Sequence, residues 1–184
     1  MFSPYVIAYA LPEPMNCKGV VMRKFEAKAF AFLGLILSTC PAGAQTAKDL
    51  VGTWVATSNV AEQNGVKSEP YGSPPLGILI FDAEGHYGLI LSRTDIPKFA
   101  SNSRINGTAE ENKTAVQGTI SHFGRYAVSE PDKTIVFKIE ASTYPNFNGT
   151  DQKRTFTLKG DELTYTVPSF SGGGTAVASW KRAK

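Results

Sequence analysis

The feature that most constrains this chain is a succession of short β segments joined mainly by turns too tight for anything but antiparallel neighbours. Eight segments carry the pattern: Asp49–Ser58, Leu76–Phe81, His86–Ser92, Thr119–Ser129, Thr134–Thr143, Asp151–Leu158, Glu162–Val167 and Thr175–Lys181. They are rich in β-branched and aromatic residues, and most alternate apolar with polar positions. Asp82-Ala83-Glu84-Gly85 and Lys159-Gly160-Asp161 read as hairpin turns, and Glu130-Pro131-Asp132-Lys133 ends a third segment. Parallel pairing would need long crossovers, which these turns leave no room for. Eight antiparallel strands in sequence favour closure on themselves. The expected fold is therefore all-β, an eight-stranded antiparallel up-and-down β-barrel with one short surface helix.

That helix is legible in Thr108 and Glu111, which form a capping box at the start of Ala109–Gln117. It carries Glu110, Glu111 and Lys113 and few apolar residues, so it belongs on the surface or over one end. The polar stretch from Asn59 to Pro75 reads as a long loop across a barrel mouth, and Ser171-Gly172-Gly173-Gly174 as a flexible one.

The residues before the first strand belong to other business. Residues 1–21 show no periodicity and carry two Pro within four residues, so they read as an extension upstream of a true start at Met22. From Met22, the basic Arg23, Lys24 and Lys28 precede an apolar run of 11 residues, Ala29–Thr39. That run is too short to span a membrane, which takes about 20 apolar residues. Ala42-Gly43-Ala44 then supplies a cleavage site, so residues 22–44 read as a signal peptide and 45–184 as the exported domain, periplasmic or secreted. Leu37-Ser38-Thr39-Cys40 offers a lipoprotein anchored at Cys40 as the alternative, although Thr39 is a poor residue before that cysteine.

From Gln45 onward there are 15 Lys and Arg against 14 Asp and Glu, a net charge of +1. No basic run or RNA-binding aromatic signature occurs, so nucleic acid is not expected as a partner. Both cysteines, Cys17 and Cys40, precede the domain, which leaves it without thiolate nucleophiles or sulfur ligands. Two histidines in separate strands do not make a zinc site, and no metal or cofactor is expected. No Gly-x-Ser-x-Gly elbow, phosphate loop or dinucleotide fingerprint is present.

The ordered series Leu50-Val51-Gly52-Thr53-Trp54, Pro70-Tyr71-Gly72, Gly77-Ile78-Leu79-Ile80-Phe81 and Phe99-Ala100-Ser101 resembles the bacterial lipocalin-like domain family. It continues with Gly107-Thr108-Ala109-Glu110-Glu111, His122-Phe123-Gly124-Arg125-Tyr126-Ala127-Val128 and Tyr144-Pro145-Asn146-Phe147. The resemblance covers nearly all of the domain and implies a calycin-type barrel, with little implied about activity. It departs at Phe147, where Trp is commoner; a ring without an N–H cannot donate there.

Alternation fixes which side chains face inward. Ile135, Phe137, Ile139 and Ala141 share one face. Phe156 and Leu158 bring Arg154 in; Ile120 and Val128 bring His122, Gly124 and Tyr126; Leu163, Tyr165 and Val167 face in together. The interior is thus apolar with four polar residues, His122, Tyr126, Arg154 and Tyr165. An unpaired buried charge costs several kcal/mol, so Arg154 needs a partner. Either it stacks on Trp54 and closes the barrel base, or Arg182 takes that place and Arg154 binds a ligand anion. His122 and Tyr126 could equally be satisfied interior groups, while Tyr71, Tyr144 and Phe147 sit in connections and could line a mouth. The expected function is binding of a small hydrophobic or amphipathic ligand, mainly apolar and with room for an anionic group. The alternative is a small-barrel enzyme of isomerase or cyclase type, with Tyr126 or His122 as acid/base and Arg154 stabilising negative charge.

Overall fold

A computed structural model describes residues 46–184; the upstream extension, the leader read over 22–44 and Cys40 lie outside the described residues. The domain opens on a single helical turn, α1 (Ala47–Leu50), where a strand was expected from Asp49. A capping box causes it: Asp49 Oδ2 accepts from the Thr46 backbone N–H at 2.8 Å and the hydroxyl at 3.0 Å.

Nine strands follow: β1 (Gly52–Gln63), β2 (Val66–Ser68), β3 (Leu76–Phe81), β4 (His86–Ser92), β5 (Thr119–Ser129), β6 (Thr134–Ser142), β7 (Asp151–Lys159), β8 (Glu162–Val167) and β9 (Thr175–Arg182). Helix α2 (Ala109–Gln117) stands between β4 and β5, with its capping box at Thr108 and Glu111 formed as read. The strand order is β2-β1-β3-β4-β5-β6-β7-β8-β9, and β1 also pairs with β9. All ladders are antiparallel. The result is a closed eight-stranded up-and-down barrel with β2 as a short extra arm.

The stretch expected to be loop from Asn59 is strand as far as Gln63. Two local causes explain the difference. Asn64 and Gly65 turn the chain with φ of 51° and 77°, which folds Val66–Ser68 back as β2. The β1–β9 register also shifts between Ala56 and Ser58, a bulge that re-phases the strand. Trp54 and Ala56 face in before it; Asn59 and Ala61 face in after it.

The connections sort by length. β3–β4, β5–β6 and β7–β8 join through tight turns at one end of the barrel. The 64–75, 93–118, 143–150 and 168–174 connections, including α2, gather at the other. At the tight-turn end, Trp54 is fully buried and its Nε1 donates to Leu50 O at 2.8 Å. Arg182, its register partner on β9, lies over the indole at 4.2 Å. The guanidinium also donates to Val51 O at 2.8 Å and Asp49 O at 2.6 Å. A Cβ at Gly52 would sit 2.8 Å from Arg182 Nη1, so this glycine admits the guanidinium rather than the indole.

The core inside is largely aromatic. Phe81, Phe137, Tyr87, Tyr165 and Trp180 fill the barrel, each 4 % exposed or less. The inward set read from alternation is buried except at its ends, where Val128 and Leu158 are partly exposed, and except at Ala141: a register shift in the β5–β6 ladder pairs it with the outward-facing Phe123, so it faces out and not in as expected. β3, read as a nearly continuous apolar run, buries only Leu79 and Phe81 deeply and leaves Ile78 and Ile80 facing outward.

Candidate functional site

Arg154 is brought inward by the phase of β7, one position from Thr155 and two from the buried Phe156. It is 3 % exposed. Its guanidinium carbon stands 4.4 Å from the Phe137 ring centre and 5.1 Å from that of Tyr165. Nη2 donates to Gln152 Oε1 at 2.9 Å, and Nε has no partner. Among the described residues no carboxylate pairs with it. The stack on Trp54 belongs to Arg182, so of the two arrangements open to Arg154 the structure adopts the one that leaves it facing the interior.

A cavity of about 30 Å³ adjoins this guanidinium. Its walls are Leu89, Leu91, Ile120, Val167 and Ala178; its polar residues are Asn59, His122, Arg154 and Tyr165. Tyr71, Phe147, Phe170 and Ser171 cap it from the long connections. That space has room for one or two water molecules.

His122 is 5 % exposed and shares a hydrogen bond between Nδ1 and the Tyr87 hydroxyl at 2.9 Å. Burial, and next to it the charge of Arg154, lowers its pKa from 6.5 to about 3, so the ring is neutral at ordinary pH. Burial likewise raises the phenols of Tyr71, Tyr87 and Tyr165. The positive charge in this interior is therefore that of Arg154. Asn59, expected at the start of a loop, instead belongs to β1 and is turned inward by the bulge; it is 3 % exposed with Oδ1 unpartnered. An unpaired donor and an unpaired acceptor thus line one small space, and both are polar groups whose burial is unfavourable until something bonds them.

Of the seven residues singled out in the sequence for ligand contact, His122, Arg154, Tyr165, Tyr71 and Phe147 line the cavity. Tyr126 and Tyr144 do not. Tyr126 faces inward as read, but at the tight-turn end, where its O–H donates to Asp82 O at 2.8 Å and its ring packs 4.6 Å from Phe81. Tyr144 lies outside the cap, edge-on to Phe147 at 4.9 Å. Of the two acid/base candidates, Tyr126 lies away from Arg154, whereas His122 shares its cavity. His86, the exposed first residue of β4, lies 2.9 Å from Asp82 Oδ2. Among the described residues no group of three or more His, Cys, Asp or Glu is gathered that could hold a metal ion. No described helix is long and apolar enough to cross a membrane.

These features define the class as a small closed β-barrel with a polar-lined inner cavity beneath a cap of loops. The family model described as "Lipocalin-like domain" matches residues 51–183, and the chain belongs to that family. A curated relative, the 4'-hydroxy-3'-methoxypropiophenone carrier protein of Aspergillus oryzae, is 31% identical over 77 residues, 39% of this chain and 69% of that protein. A solved structure of a mutant of the fluorescent protein UnaG is similar at 12% identity, covering 74% of this chain and 97% of that one, with a TM-score of 0.34.

Proposed function

We propose that this barrel binds a small, mainly apolar organic molecule and holds an anionic or strongly hydrogen-bond-accepting group against Arg154. The observation that carries the reading is the buried guanidinium with an unpartnered Nε and no carboxylate. A ligand carboxylate or phenolate would complete it, as would, more weakly, a carbonyl. The ring of Tyr165 and the aliphatic wall would cover the apolar part. The relative that carries an aryl ketone with a phenolic hydroxyl is in keeping with this chemistry. Asn59 Oδ1 is placed to accept from a hydroxyl on the same ligand.

The test is calorimetric titration of the purified domain with 4-propylbenzoate and 4-propylbenzamide. The acid binds at least tenfold more tightly than the amide, and Arg154→Met removes that preference. Equal affinity for acid and amide in the unaltered protein, or no binding of either, sinks the reading.

The site of action is read as outside the cytoplasm, on the basic, apolar and small-residue pattern of residues 22–44. Intact mass of protein recovered from a bacterial periplasm checks it. A chain beginning at Gln45 is expected; a chain that keeps residues 22–44 and remains in the cytoplasm counts against export.

A further inference from the structure

The cavity beside Arg154 is too small for the ligand class proposed above. At about 30 Å³ it takes a carboxylate head and little more, whereas small-molecule sites run to about 300–1,000 Å³. Directly above it lies a second hollow, a groove of about 320 Å³ between the end of α2 and the connections at 143–150 and 168–174. The two share four wall residues, Tyr71, Ile120, Phe170 and Ser171. The partition between them is therefore one side chain thick.

Phe170 is the movable part of that partition. It belongs to no strand, and its ring meets Tyr71 edge-on at 6.2 Å. Its backbone is held within its own turn, where Phe170 N–H donates to Gly174 O at 3.0 Å and Gly173 N–H to Phe170 O at 2.9 Å. Three consecutive glycines follow Ser171. Tyr71 and Ile120, by contrast, are buried at 4 % and 8 % exposure. On the groove's far rim Val116 of α2 is 72 % exposed, an apolar side chain without a cover. The edge-on pair Tyr144–Phe147 spans the same boundary, Phe147 lining the cavity and Tyr144 the groove.

We infer that cavity and groove are two compartments of one site, joined when the Phe170 ring swings aside. The inner compartment takes the anionic or accepting head at Arg154. The outer takes an apolar tail that runs out between Tyr144 and Val116. The ligand class is then an aryl or alkyl acid whose tail is too long for the barrel interior. This rests on the reading of Arg154 given above and adds where the rest of the ligand lies.

Benzoate and 4-hexylbenzoate, titrated into the purified domain, test it. The expected result is that 4-hexylbenzoate binds at least tenfold more tightly than benzoate. Val116→Glu, at an exposed position, then cuts that ratio at least fivefold, and Arg154→Met weakens both acids. If both acids bind with similar affinity and Val116→Glu leaves their ratio as it was, the groove is no part of the site, and the Arg154 reading stands alone. If neither acid binds, the Arg154 reading fails and this inference with it. If 4-hexylbenzoate responds to Val116→Glu but not to Arg154→Met, the groove binds apolar tails by itself and the two-compartment site is overturned.

Discussion

Arg154→Met should stabilise the empty protein while abolishing its preference for acids. The guanidinium is 3 % exposed and unpaired with any carboxylate. Removing a cation from water to such a place costs several kcal/mol after relaxation. Against this stand two ring contacts, at 4.4 and 5.1 Å, worth about 0.5–2 kcal/mol each. The hydrogen bond to Gln152 contributes about 1.5–3 kcal/mol more. The two sides nearly balance in the apo state. Methionine fills a similar volume without the desolvation cost and adds about 1.5–3 kcal/mol of apolar burial. Gln152, half-buried, can turn its carbonyl to water. The expected net effect is about 1–3 kcal/mol of added stability, in the range seen when buried ionic groups are replaced by apolar ones. For a domain of this size that raises Tm by about 3–10 °C. Differential scanning calorimetry on ligand-stripped protein reads it directly. A loss of more than about 1 kcal/mol would refute the argument, because the guanidinium would then be a structural element of the core and not a group left open for a ligand.

Other substitutions separate the remaining roles. Arg182→Ala removes the stack on Trp54 and the bonds to Val51 and Asp49, and should cost about 2–3 kcal/mol in urea denaturation; a neutral result would deny the clasp. His122 ordinarily titrates near 6.5 but in the fold only near 3, so the unfolded chain takes up the proton first. Its contribution is present above pH 6.5 and is lost as pH falls from 6.5 towards 3, by up to about 1.4 kcal/mol per pH unit. His122→Gln should flatten that acid limb in urea midpoints measured at pH 7, 5.5 and 4.5, whereas parallel curves for the two proteins would show that this histidine is not the cause. Tyr126→Phe loses the bond to Asp82 O and about 1 kcal/mol of stability. Its affinity for 4-propylbenzoate should stay within twofold, and a larger drop would return Tyr126 to the site.

The fold was legible because hairpin chemistry is local. Thr108 and Glu111 fixed the start of α2, and the turn at Asp82–Gly85 fixed the β3–β4 pairing, each within four residues of sequence. Strand phase was legible too, and it turned Arg154, His122 and Tyr165 inward correctly. What alternation cannot supply is height along the barrel axis. Tyr126 and His122 share a face of β5, yet one meets the tight-turn end and the other the cavity, because the loops that cap the mouth decide where empty space remains. Asn59 was hidden for a different reason. A bulge near Thr57 shifts the phase by one residue and leaves no compositional mark. The choice between Arg154 and Arg182 for Trp54 depends on the β1–β9 register, a pairing between the two ends of the domain that no local pattern encodes.

That pairing also governs how the barrel comes together in time. Every other ladder among the described residues joins strands that are next, or next but one, along the chain. The β1–β9 seam joins residues as distant in sequence as Trp54 and Arg182. Closing so long a loop costs about 2 kcal/mol more in chain entropy than closing a ten-residue hairpin. An open meander of hairpins should therefore form first, and the seam should shut last. Stopped-flow kinetics of Arg182→Ala would register this as faster unfolding with folding almost unaltered. Slowed folding would instead make the seam the nucleus on which the hairpins are laid down.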